Sequence, residues 1–225
     1  MRIHLHEPAV ALTDLAIGVE AGVFGILMAR ARRDDVFRSP EAVTTRRWFV
    51  VLFGATGVAA LAGAALHGLL PDRERPARLR LWRVSLGSIG IAGLCGWCLA
   101  AVLALPRAAA TTVQRVTMAA HAAYLVALSQ TNPPYTVAIA TYIPGSLALG
   151  AALLRGLADP VVRAPSAIAA AGLGLTFGAA AVQIRRIAIH PRLFDHNATY
   201  HTIQAVAIAC FYVAARGFTQ PTGRR

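Results

Sequence analysis

The 225-residue chain reads as an all-α polytopic membrane protein, a single seven-helix transmembrane bundle, on three observations. It is 56% hydrophobic but only 14% charged, whereas soluble domains carry about 25% charged residues. The charges gather in short stretches, because a charge at the bilayer centre costs about 2.5–3.5 kcal/mol on insertion scales. Between those stretches lie seven apolar runs, each near the ~20 residues that a helix needs to cross the hydrocarbon core.

The runs cover about 9–28, 48–70, 84–105, 113–128, 135–154, 161–182 and 197–215. Lipid offers no partner to backbone N–H and C=O groups, so each run is expected to be helical. The ~10-residue alternating segments of a β-barrel are absent. The connections carry turn chemistry at Ser39-Pro40, Pro71-Asp72, Pro106, Asn132-Pro133-Pro134, Asp159-Pro160 and His190-Pro191. The fourth run is the shortest and holds both Arg115 and His121. Pro144-Gly145 inside the fifth predicts a kink. Glycines such as Gly54, Gly57, Gly63, Gly172, Gly174 and Gly178 suit close helix approach.

The net charge of +12 is carried by arginine alone, as the chain has no lysine. At helix ends arginine snorkels to lipid phosphates. Nucleic-acid binding is excluded, since no soluble basic face with interleaved aromatics exists. Cys95 and Cys98 have CxxC spacing but lie in an apolar run, so they and Cys210 read as ordinary buried cysteines. No cleavable signal peptide is expected, because Asp14 and Glu20 interrupt the first run. Asn197-Ala198-Thr199 matches a glycosylation sequon but lies too near the membrane edge to serve. With the N-terminus outside, inner segments hold 13 arginines and outer segments 9. The expected location is the cell membrane, with the C-terminus cytoplasmic.

Polar groups at membrane depth are functional candidates by default. They are Asp14 and Glu20 in the first run, His67 ending the second, His121 in the fourth, and Asp195, His196, Asn197, His201 and Gln204 at the seventh. His67 and the start of run seven are separated by four spans, so they share one membrane face with the start of run one, including His4, His6 and Glu7. Asn197, His201 and Gln204 recur at i, i+4, i+7 and form one helical stripe. His196 lies about 140° from His201 on a regular helix and joins the stripe only if the helix begins there, with Asp195 as N-cap. Converging imidazoles suit Zn²⁺ with water as a further ligand, and Asp195 or Asp14 would orient a ligand or take a proton. The plainer alternatives are a lone interfacial histidine at 67, solvated loop residues at His4, His6 and His190, and a helix–helix hydrogen bond at His121. A haem with axial His67 and His201 is a further possibility that nothing else in the sequence requests.

Several of these residues form a pattern. It comprises Glu7-Pro8 with Thr13-Asp14, then Gly63-Ala-Ala-Leu-His67-Gly68, Leu81-Trp82-Arg83, and His190-Pro191-Arg-Leu-Phe194-Asp195-His196-Asn197-Ala-Thr-Tyr200-His201-Thr-Ile-Gln204. The pattern resembles an uncharacterised family of bacterial seven-transmembrane proteins. That family is in turn distantly similar to the superfamily of alkaline ceramidases and progestin/adiponectin-type receptors. The resemblance implies a zinc held by His67, His196 and His201 and hydrolysis of a lipid amide or ester; Asp195 or Asp14 would stand in as the general base, and Asn197 and Gln204 of the stripe would lie behind the ligands. Membrane lipids are the implied partners and substrates. The chain departs from that pattern in three places. Gly63 stands where a serine is usual, run three has no acid, and the run-seven histidines are five apart rather than four. A non-enzymatic lipid-sensing or small-solute protein, in which the polar stripe only packs helices, is the alternative.

Overall fold

The computed structural model describes residues 5–30, 39–70, 76–130 and 132–220. Seven helices are found among them: α1 (Pro8–Arg30), α2 (Pro40–Gly68), α3 (Pro76–Ala104), α4 (Arg107–Gln130), α5 (Tyr135–Gly156), α6 (Arg163–Ile184) and α7 (His196–Thr219). The expected break at Pro71-Asp72 and the candidate His4 lie outside the described residues.

Prolines mark most of the helix starts. Pro8, Pro40 and Pro76 each open a helix, where a missing N–H costs nothing and a fixed φ suits the first turn. Ser39 completes the α2 start, its Oγ accepting from Ala42 N at 3.1 Å. Pro106 precedes α4 and Pro134 is the N-cap of α5. Pro144 lies inside α5, which continues through it. Helices α2 and α3 each begin about two turns before their apolar runs, because amphipathic, arginine-bearing turns extend them beyond the apolar stretch.

Among the described residues, six helices are long and apolar enough to cross a membrane: α1, α2, α3, α5, α6 and α7. The chain is a multi-pass, all-α membrane protein. Helix α4 is helical but lacks the hydropathy of the others, with only Ala110 and Leu128 buried. The exterior fits lipid. On α1, Leu12, Leu15, Val19, Val23 and Ile26 are all exposed at helical spacing, a stripe that would be a liability in water.

Helix α3 sits inside, packed on α2, α4 and α5, and α1 packs on α2 and α7, α6 on α5 and α7. Small residues set the closest crossings. A Cβ at Gly93 would come 2.5 Å from Thr141 O, and one at Gly96 2.7 Å from Gly145 O, so α3 and α5 touch backbone to backbone. The interior is divided along its length. Phe24, Phe49, Phe53, Tyr212 and Phe218 fill the end where α1 and α7 finish, with Phe24 stacked on Tyr212 at 4.2 Å. The opposite end, where α1 and α7 start and α2 finishes, holds the polar side chains.

Candidate functional site

Backbone contacts fix that polar end. The N–H groups of His6 and Glu7 donate to the carbonyls of Gly68 (3.2 Å) and His67 (3.3 Å), satisfying acceptors that the end of α2 would otherwise leave bare. Arg78 of α3 reaches the same turn, donating to Leu66 O at 3.0 Å and to Leu70 O. A cation at a helix C-terminus is favoured by the helix dipole as well as by these bonds. At α7, Asp195 is the N-cap, its Oδ1 accepting from Ala198 N at 3.0 Å. A tight turn, His190 N to Phe194 O at 3.0 Å and its reciprocal at 2.8 Å, leads the chain into that cap.

Two histidines face α1 across this junction. His67 engages Glu7 at the exposed mouth of the site, Nδ1–H donating to Oε2. His201 lies deeper. Its Nδ1 is 3.1 Å from Thr13 Oγ1, and its Nε2 is 3.3 Å from Oδ1 of the buried Asp14. A hydroxyl has one proton. Thr13 directs its own to Ala9 O at 2.9 Å and Val10 O at 3.0 Å. Where Nε2 carries the proton it donates to Asp14; where Thr13 instead accepts from His201 Nδ1–H, Nε2 carries the lone pair. In that second tautomer a lone pair faces a carboxylate oxygen inside the protein. Two acceptors at that spacing need a positive centre between them, either a shared proton or a metal ion.

Asp14 has room because of a glycine. A Cβ built at Gly63 would meet Asp14 Oδ2 at 2.5 Å, Cγ at 3.0 Å and Oδ1 at 3.2 Å. Gly63 is one helical turn before His67, so the carboxylate from α1 fills the space beside His67 that a side chain on α2 would take.

The chain's sequence over residues 9–220 matches a family described as a family of unknown function, DUF6962. The chain belongs to that family. No curated protein and no solved structure matches it. The stretch shared with DUF6962 contains Thr13, Asp14, Gly63, His67, Asp195 and His201.

The remaining candidates of this DUF6962 chain divide between two seams. Helix α7 does begin at His196 behind the Asp195 cap. The stripe Asn197, His201, Gln204 does not point to one neighbour. Asn197 accepts from Gln183 Nε2 of α6, and Gln204 donates to Thr176 Oγ1 of α6 at 3.4 Å, while His201 turns to α1. Among the described residues, no three His, Cys, Asp or Glu side chains are gathered closely enough to hold a metal ion. The set His67, His196 and His201 is therefore not assembled as the sequence implied. What is assembled is the pair Asp14–His201, with Glu7–His67 at its mouth. His121 of α4 stands apart, its ring 5.5 Å from Tyr124 and its Nε2 buried without a hydrogen-bond partner among the described residues.

Sequence reasoning missed Thr13 as the group that orients His201, and Thr176 and Gln183 as partners of the α7 amides. Thr13 and Thr176 are polar residues in apolar runs, the signal that singled out their partners, and Gln183 falls one residue past the sixth run.

Proposed function

We propose that the positive centre between Asp14 and His201 is a zinc ion and that the protein hydrolyses a lipid amide or ester at the outer end of its bundle. The observation that supports this most is the 3.3 Å separation of Asp14 Oδ1 from His201 Nε2. Two donors each ~2.0–2.1 Å from one tetrahedral zinc lie about 3.3 Å apart. A charge-assisted hydrogen bond would draw the pair closer, to about 2.7–2.9 Å. The donor chemistry also fits. Metal-binding histidines usually give their other N–H to a carboxylate or another acceptor, and Glu7 and Thr13 occupy the Nδ1 of His67 and His201. The ligands proposed are His201 Nε2 and Asp14 Oδ1, with His67 as a third only if its side chain turns inward on binding, since no three such side chains are gathered among the described residues; the carboxylate of α1 would then take the place that the resemblance gave to His196.

A zinc held there would supply a coordinated water of pKa near about 7 and a Lewis acid for a carbonyl. The chain's own residues do the rest. Glu7 and Thr13 hold the two imidazoles in the tautomer that leaves Nε2 basic. Gly63 admits Asp14. Asp195, the N-cap of α7, would accept the proton that the attacking water releases. The exposed mouth at His67 and Glu7 admits a substrate from the bilayer surface. With α4 counted as a seventh crossing, the N-terminus and this site face outside and the C-terminus is cytoplasmic, as the arginine bias favours.

The test is release of fatty acid from N-acyl and O-acyl lipids by protein purified without chelators. Hydrolysis lost on chelation and restored by zinc supports the reading. No hydrolysis of either class would leave the second reading, a non-enzymatic membrane protein in which a shared proton joins Asp14 to His201. That second reading is favoured by the lack of a three-donor group among the described residues.

A further inference from the structure

The helix least secured by the bundle is α4. It packs on α3, buries only Ala110 and Leu128, and carries Thr111, Thr112, Gln114 and Arg115 among its exposed or half-exposed residues. One open apolar groove runs along its junction with α3, and a second lies between α3 and α5, touching α4 at Val113. The first, about 360 Å³, is lined by Arg83, Val84, Gly87, Leu125, Leu128 and Ser129. The second, about 300 Å³, is lined by residues that include Trp97, Ala101, Leu105, Val113, Ala148 and Arg155. Each is as large as a small ligand site, and each has one arginine.

The two arginines lie at opposite membrane faces. Arg83 is near the start of α3 and Arg155 near the end of α5, and with α3 and α5 both running from the site face, the first groove belongs to one leaflet and the second to the other. The Arg83 end is placed at the headgroup level by an independent feature. Trp82 and Tyr135 pack there, ring centroids 6.1 Å apart, with Trp82 Nε1 donating to Pro133 O at 3.0 Å. Tryptophan and tyrosine gather at the membrane interface. A half-buried cation at headgroup depth, continuous with an apolar trough that opens sideways, matches a phospholipid in both charge and shape.

We propose that the two grooves bind anionic phospholipids, one in each leaflet, with phosphate at Arg83 or Arg155 and an acyl chain along the trough, and that the lipid in the first groove seats α4 against α3. Gly87 is part of the fit. A Cβ there would come 3.3 Å from Leu125 Cδ2 and 3.5 Å from Leu128 Cδ2, narrowing the first trough. This does not depend on zinc or on hydrolysis.

The experiment is thermal unfolding of delipidated, detergent-purified protein with added phosphatidylglycerol, phosphatidylcholine of the same chains, or inorganic phosphate. At a lipid concentration about a hundred times its Kd, phosphatidylglycerol should raise Tm by about 5–10 °C over phosphatidylcholine. Arg83→Gln with Arg155→Gln should abolish that difference. Val84→Trp, which fills the first trough but keeps Arg83, should reduce it. Arg192→Gln, at an arginine in the loop before α7, should leave it intact. Equal shifts from the two lipids, an unchanged difference in the double variant, or full reproduction by inorganic phosphate would each overturn the proposal.

Discussion

Gly63→Ala probes the cradle that holds Asp14. The new methyl would sit 2.5 Å from Oδ2 and 3.0 Å from Cγ of Asp14, so the whole carboxyl group has to move. Overpacking of this kind costs about 1–3 kcal/mol. Alanine is at the same time a better helix former than glycine by about 0.8–1.0 kcal/mol. The net expectation is a loss of about 0–2 kcal/mol, or about 0–8 °C in Tm for a chain of this length. Gly54→Ala supplies the control, since nothing lies within 4 Å of a Cβ at that position. It keeps only the propensity gain, a rise of about 2–4 °C. In an Asp14→Ala background the obstruction is gone, and Gly63→Ala should then behave like Gly54→Ala. The double-mutant cycle should show a coupling of about 1–3 kcal/mol. Thermal unfolding in detergent measures it. If Gly63→Ala has the same effect with and without Asp14, to within about 0.3–0.5 kcal/mol, the cradle argument is wrong.

Three further outcomes are expected. Thr13→Val removes the acceptor for His201 Nδ1–H and should weaken zinc binding about 10–100-fold, as read by competition with a chromogenic chelator. Asp195→Asn keeps an equally good N-cap, so Tm should hold within the error of the scan while any lipid hydrolysis falls about 10²-fold or more; a matching fall in Tm would point to a structural role only. Arg78→Gln removes the cation at the end of α2 and should lower stability by about 1.5–3 kcal/mol, seen in Tm.

The fold was largely legible because lipid imposes a simple rule, apolar runs of membrane length separated by charge. Helix α4 shows where that rule weakens. Its run was the shortest and most polar, and the structure gives it helical form with the least burial. The shared end of the bundle was legible too, since parity alone places the end of α2 with the starts of α1 and α7. The inner arrangement was not. A period of 3.6 puts Asn197, His201 and Gln204 on one stripe, but a stripe is wide enough to face two neighbours, and here it serves α6 at both ends and α1 in the middle. Gly63 was read as a missing hydroxyl. A glycine in a helix is silent about what fills the space it leaves, and only the packing of α1 on α2 shows that Asp14 does.

The central claim is that a metal ion, not a proton, joins Asp14 to His201. Metal analysis by mass spectrometry of protein purified without chelators tests it most directly, on wild type, Asp14→Ala and His201→Ala side by side. The account predicts about one zinc per chain in the wild type and a near-complete loss in both variants, because a site left with two protein ligands holds zinc poorly. Wild-type protein that is folded and free of zinc, or zinc that survives in both variants, would contradict it.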